Sequence, residues 1–141
     1  MKIRAFEPAD EDQVIALWDR CDLLRPWNDP KKDIARKLRV QPDLFLVGVI
    51  DDRVVAAVMA GYEGHRGWVN YLAVAPESRR RGYGREMMAQ VERRLLDLGC
   101  PKVSLQIRRA NDNVAAFYEC LGYKEDDVIS MGKRLEHDEG A

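Results

Sequence analysis

Apolar positions along the chain recur at two periods, one suited to strands and one to helices. The run Lys2–Phe6 predicts a short opening strand, and Val14, Leu17, Trp18 and Cys21 recur at helical spacing over Asp10–Cys21. The polar stretch Asp22–Pro30 (DLLRPWNDP) predicts a loop, with Asp29 as N-cap and Pro30 at the first position of a second helix. That helix is short, turns Ile34 and Leu38 inward, and ends before Gln41-Pro42. Leu44–Ile50 and Val54–Tyr62 are continuous β-branched runs joined across Asp51-Asp52, which predicts an antiparallel hairpin. After the polar turn Gly61–Gly67, the run Trp68–Val74 predicts a third long strand stopped by Pro76. Met87, Met88, Val91, Leu95 and Leu98 then mark one face of a helix over Tyr83–Leu98, closed by Gly99. Val103–Arg108 predicts a strand, Val114–Leu121 a helix closed by Gly122, and Val128–Leu135 a last strand.

No linker, repeat or low-complexity stretch divides this order, so residues 1–141 are expected to form one α/β domain with a mixed sheet. With 46% apolar and 33% charged residues, the chain can bury a core without disulfide or metal staples. A net charge of −1 argues against a nucleic-acid partner. No apolar run approaches the ~18 residues of a membrane span, and the acidic N-terminus is no secretion signal. Three unpaired cysteines, Cys21, Cys100 and Cys120, fit a reducing cytoplasm. Threonine is absent, and there are only three serines and two histidines. G-x-S-x-G, H-E-x-x-H, C-x-x-C and G-K-[ST] are all missing. Elbow-type serine hydrolysis, zinc hydrolysis and P-loop phosphate transfer therefore lack their residues, and no metal is expected. What remains is chemistry on a bound, activated substrate.

One segment stands out. Arg79–Gly84 (RRRGYG) lies between a predicted strand and a predicted helix. Glycines at this spacing allow a tight turn and close approach of a ligand to the backbone. The helix that opens here presents unpaired N–H groups and the positive end of its dipole, a ready anion site. Glu77–Arg94 holds six Arg against three Glu, whereas the last eighteen residues hold three basic and six acidic side chains. Positive charge is concentrated at the one glycine loop able to hold a phosphate. A dinucleotide fingerprint fits less well, because Met87 stands where its third glycine belongs.

The segment LAVAPESRRRGYGREMM resembles motif A of the GCN5-related N-acetyltransferases, with Arg79, Gly82 and Gly84 in its R-x-x-G-x-G slots. A second run, from Asn111 through Tyr118 to Gly122-Tyr123, resembles that family's N-x-x-A-x-x-x-Y-x-x-x-G-[FY]. The two motifs stand in the family's order and at its usual separation. DLLRPWNDP and GYEGHRG look closest to the YpeA-like bacterial members. The resemblance implies a mixed, mostly antiparallel sheet of about six to seven strands with about four helices.

Acetyl-CoA is the implied acyl donor, with its pyrophosphate on the loop Arg79, Arg80, Arg81, Gly82, Tyr83 and Gly84. Leu72, Ala73 and Val74 would run beside the pantetheine arm, one N–H there bonding the thioester carbonyl as it becomes an oxyanion. Asn111 would hold the pantetheine, and Tyr118 would protonate the departing thiolate. Read from the residues alone, Tyr118 also fits plain core beside Val114, Phe117 and Leu121. Asn111 also fits a helix cap, as does Asn113.

A general base is missing from the family's two customary positions, which hold Gln106 and Trp68. Glu63 and His65, in the turn before the central strand, are the remaining candidates beside solvent water. The loop Leu24–Asp29 is where the family closes over its acceptor. Trp27, Asn28 and Asp29 are thus candidate acceptor contacts, although Trp27 also suits a core anchor and Asp29 a helix cap. The implied protein is a cytoplasmic monomer or homodimer that acetylates a primary amine on a small molecule or a protein or peptide. A non-catalytic acyl-CoA-binding domain is the alternative.

Overall fold

In the computed structural model, residues 1–139 are described. Among them, five strands form one sheet in the order β1-β2-β3-β4-β5, antiparallel except for the parallel pair β4 and β5. The strands are β1 (Lys2–Ala5), β2 (Phe45–Ile50), β3 (Arg53–Tyr62), β4 (Gly67–Val74) and β5 (Val103–Leu105). The helices are α1 (Glu11–Arg20), α2 (Pro30–Lys37), α3 (Tyr83–Asp97) and α4 (Asp112–Cys120). The β2–β3 hairpin closes on Asp51 and Asp52, both at positive φ (49° and 62°), a tight turn that matches the strand twist. Asp29 caps α2 as expected, accepting from the N–H groups of Lys31 and Lys32 at 2.9 and 3.2 Å.

The sheet separates two apolar layers. On one face Val14, Leu17, Trp18 and Ile34 from α1 and α2 pack on Phe45, Val47, Ala57 and Ala73. On the other, Met87, Met88, Val91 and Leu95 of α3 and Tyr118 of α4 cover Leu46, Val58 and Val69. Complete burial of a side chain such as Leu95 or Met87 contributes roughly 1.5–3 kcal/mol, so both layers are substantial.

The sheet has five strands rather than the expected six to seven. Val128–Leu135 has strand-like residues but forms no strand, and Val128, Ile129, Met131 and Leu135 are all exposed. A strand needs a backbone ladder, and the neighbouring edge, β5, is only three residues long. The segment and the residues just before it are instead tied by side chains, Gln106 to Ser130 and Lys102 to Asp126. It then runs on to α2, where Asp138 accepts from the Arg36 guanidinium at 2.6 Å and from the Asp29 N–H at 3.0 Å.

Candidate active site

Two irregularities of β4 create the site. Its pairing with β5 covers only Gly67, Trp68 and Val69, so among the described residues the side of Asn70–Val74 that faces away from β3 has no strand partner. Its pairing with β3 also slips: Ala57 faces Ala73 but Met59 faces Asn70, so Tyr71 and Leu72 share the place opposite Val58. Tyr71 carries the bulge at φ +55°, a strained value for a bulky residue. Val69 and Leu72 point into the α3 layer, whereas Tyr71 packs with the α1 layer. Asn70 and Tyr71 thus line the same surface pocket although they are consecutive in a strand.

At the C-terminal end of β4 the chain enters Arg79–Gly84. Gly82 is the N-cap of α3 at φ +80°, and a Cβ built there would meet nothing within 4 Å. Open space at the first turn of a fifteen-residue helix suits an anionic ligand. Gly84 is also required by packing. A Cβ there would stand 3.0 Å from the Phe117 ring and 3.7 Å from Val74 Cγ2, so this glycine lets α3, α4 and β4 meet. Arg79 turns back to donate to the Val74 carbonyl at 3.3 Å, while Arg80 and Arg81 are exposed. Tyr83 is half-buried at the start of α3.

Tyr118 is 6% exposed and packs edge-on against Phe117 and Tyr123 at 5.0 and 5.5 Å. Its hydroxyl has no hydrogen-bond partner among the described residues, and burial pushes its pKa up to about 12. It is therefore a neutral O–H donor at any ordinary pH. Asn111 stands at the N-cap of α4, yet its side chain makes no capping bond and is exposed. Leu72 and Val74 are partly buried against the same layer as Tyr118.

Glu63 and His65 lie apart from this convergence. They occupy the turn before Gly67, whereas Leu72 is five residues up the strand, about 15 Å or more away. Both are exposed, and the Glu63 carboxylate accepts from the N–H groups of His65 and Arg66, which lowers its pKa. Trp27 is half-exposed with the Arg108 guanidinium 5.3 Å above its ring, so the α1–α2 loop reaches the chain leaving β5. Asn28 lines the pocket beside Tyr71, and its side-chain oxygen accepts from Arg134 at 2.8 Å. Asp29 is occupied as the cap of α2.

Sequence reasoning passed over Asp33, Lys37, Asn70 and Tyr71, which with Asn28 and Arg36 line this pocket of about 420 Å³. Asp33, Arg36, Lys37 and Val40 fall at i, i+3, i+4 and i+7, one face of α2 continued past its end. That polar face was a readable signal. Nothing in the sequence announces the Tyr71 bulge.

Residues 12–123 match the profile described as "Acetyltransferase (GNAT) family". A protein named acetyltransferase from Pectobacterium atrosepticum is 50% identical over 138 residues, covering 98% of both chains. The solved ribosomal-protein-S18-alanine N-acetyltransferase from Escherichia coli is similar in fold, with a TM-score of 0.75, 20% identity, and coverage of 89% of this chain and 78% of that one. AAC(6')-Iy, an aminoglycoside N-acetyltransferase solved with a bisubstrate analogue of CoA, has a TM-score of 0.75 at 20% identity. That match covers 95% of this chain and 98% of the other.

Proposed function

Because the chain belongs to the GNAT acetyltransferase family, we propose that it moves the acetyl group of acetyl-CoA directly to a primary amine. The observation that carries this reading is the unpaired side of β4 between Asn70 and Val74. It ends at the Gly82-capped helix and has Tyr118 in the layer beneath it. A strand side without a ladder offers backbone N–H groups to a pantetheine arm and a thioester carbonyl. The α3 N-terminus, with open space at Gly82, suits the pyrophosphate. The unbonded Asn111 amide is available to the pantetheine. The protein is read as one cytoplasmic domain over residues 1–141, and no described helix is long and apolar enough to cross a membrane.

In the transfer, the amine nitrogen bonds to the carbonyl carbon and the C–S bond breaks. The Leu72–Val74 backbone stabilises the developing oxyanion, and Tyr118 gives its proton to the departing sulfur. A phenol raised to about 12 is a weak acid toward an ordinary thiol. The desolvation that raises the phenol also raises a thiolate buried beside it, which keeps the two matched. The amine's proton leaves to solvent water, since Glu63 and His65 both lie in the exposed turn before Gly67, away from Leu72–Val74. No cysteine is assigned a covalent role.

Calorimetric titration of acetyl-CoA tests the donor half. Wild-type protein is expected to bind it, and Gly82→Val to lose most of that affinity while remaining folded. Unchanged affinity in a folded Gly82→Val protein would refute the anion site.

A further inference from the structure

The pocket on the α2 side of the β4 bulge has opposite charges at its two ends. At one end Asp33 accepts from the Tyr71 hydroxyl at 2.7 Å and from Arg36 at 3.1 Å. Arg36 is also held by Glu136 and Asp138, and Arg134 pairs with Asp138 at 3.3 Å. Three carboxylates thus face two guanidiniums, leaving this end one negative charge. One helical turn away, Lys37 lines the same pocket half-buried, with no hydrogen bond or ion pair among the described residues. Its ammonium lies 3.6 Å from where a Cβ on Gly61 would stand, toward the Trp68 end of β4. Asp43 acts on it only beyond ion-pair distance, and burial lowers its pKa. A half-buried ammonium whose nearest carboxylate stands beyond ion-pair distance would be stabilised by an anion beside it.

The order of these groups along β4 matters. Asp33 and Tyr71 adjoin Leu72–Val74, where the thioester would lie, and Lys37 lies beyond them. Resting on the acetyl-transfer reading, we propose that the acceptor is a small primary amine carrying a carboxylate or phosphate at its far end. Asp33 and Tyr71 receive the ammonium, which loses a proton to solvent before the amine attacks, and Lys37 holds the anion. Four residues of helix separate Asp33 from Lys37, about 6 Å, which matches a chain of several bonds between amine and anion. The pocket is open to solvent and, at about 420 Å³, has room for a small molecule. The bulge brings the Tyr71 hydroxyl to Asp33 while its ring stays stacked on Trp18.

The test measures thiol release from acetyl-CoA with four matched amines: 5-aminopentanoate, 3-aminopropyl phosphate, 5-aminopentanol and 1,5-diaminopentane. Wild-type protein is expected to prefer the two anionic amines in kcat/KM by about ten-fold or more, as one charge-assisted contact allows. The better of the two identifies the anion. That preference should collapse in Lys37→Met, return in Lys37→Arg, and turn toward the diamine in Lys37→Glu, each variant checked for folding by its Tm. Equal use of all four amines by wild type, or an unaltered preference in folded Lys37→Met, would overturn the proposal. No release with any of them while acetyl-CoA still binds overturns this acceptor class alone. Loss of acetyl-CoA binding as well would overturn the transfer reading beneath it.

Discussion

Trp18 lies flat on Tyr71, ring centroids 4.0 Å apart and planes 13° from parallel. The stack clamps the side chain of the one residue in β4 with a positive φ, and the Tyr71 hydroxyl then reaches Asp33. α1, α2 and the bulge are thereby locked to one another. Tyr71→Phe keeps the stack and removes the bond to Asp33. It is expected to cost about 1 kcal/mol in denaturant unfolding and to raise KM for the amine, with acetyl-CoA affinity unchanged. An unchanged amine KM would detach Asp33 and Tyr71 from the acceptor.

Gly82 and Gly84 should separate binding from packing. Gly84→Ala drives a methyl group into Phe117 and is expected to lower stability by about 1–3 kcal/mol. Gly82→Ala meets open space and pays only for its left-handed backbone, about 1 kcal/mol. Its larger effect is expected on acetyl-CoA affinity. Thermal melts and calorimetry on both variants check this, and the reverse pattern would exchange the two roles.

Asp10 gives the fold a defined acid limit. The residue is 4% exposed, and its carboxylate accepts from Arg4 at 2.7 and 3.0 Å and from the Glu7 N–H at 2.8 Å. The Arg4 bond holds its pKa below the ordinary 3.8. Its stabilisation is therefore complete above about pH 4 and is lost as pH falls through the lowered value. Asp10→Asn is expected to be less stable by about 2 kcal/mol at neutral pH, with the gap closing below about pH 4. Denaturant unfolding of both proteins from pH 7 to 2.5 measures it, and a gap that persists at low pH would contradict it.

Tyr118→Phe retains the ring between Phe117 and Tyr123 and removes only the proton. It is expected to lower kcat by about ten-fold or more while leaving acetyl-CoA affinity nearly unchanged. With the phenol pKa raised to about 12, the wild-type kcat profile should show no basic limb from Tyr118 below about pH 11. Poor leaving groups in a thioester series should suffer most. Equal losses across the series would return Tyr118 to the core.

The elements with long periodic patterns were legible to within one or two residues, α3 and the β2–β3 hairpin above all. What was not legible depended on partners. Val128–Leu135 has the residues of a strand, but no edge is long enough to give it a ladder. Val103–Arg108 carries six strand-like residues but pairs over only three. The turn at Arg79–Gly84 between β4 and α3 could be read because glycine carries a local physical meaning. The proposed acceptor pocket was legible only in part: Asp33, Arg36 and Lys37 share one face of α2 in the sequence, but Asn70 and Tyr71 join them only through a strand irregularity with no sequence signature.

Direct transfer is tested most plainly by mass spectrometry of protein and products from one reaction with acetyl-CoA and 5-aminopentanoate. The account predicts one N-acetylated amine for each thiol released. It also predicts no acetyl adduct on Cys21, Cys100 or Cys120 when the amine is withheld. Acetyl-CoA bound tightly but never cleaved across a broad set of small amines and peptides, or an acetyl-cysteine that forms and then decays on adding amine, would contradict it.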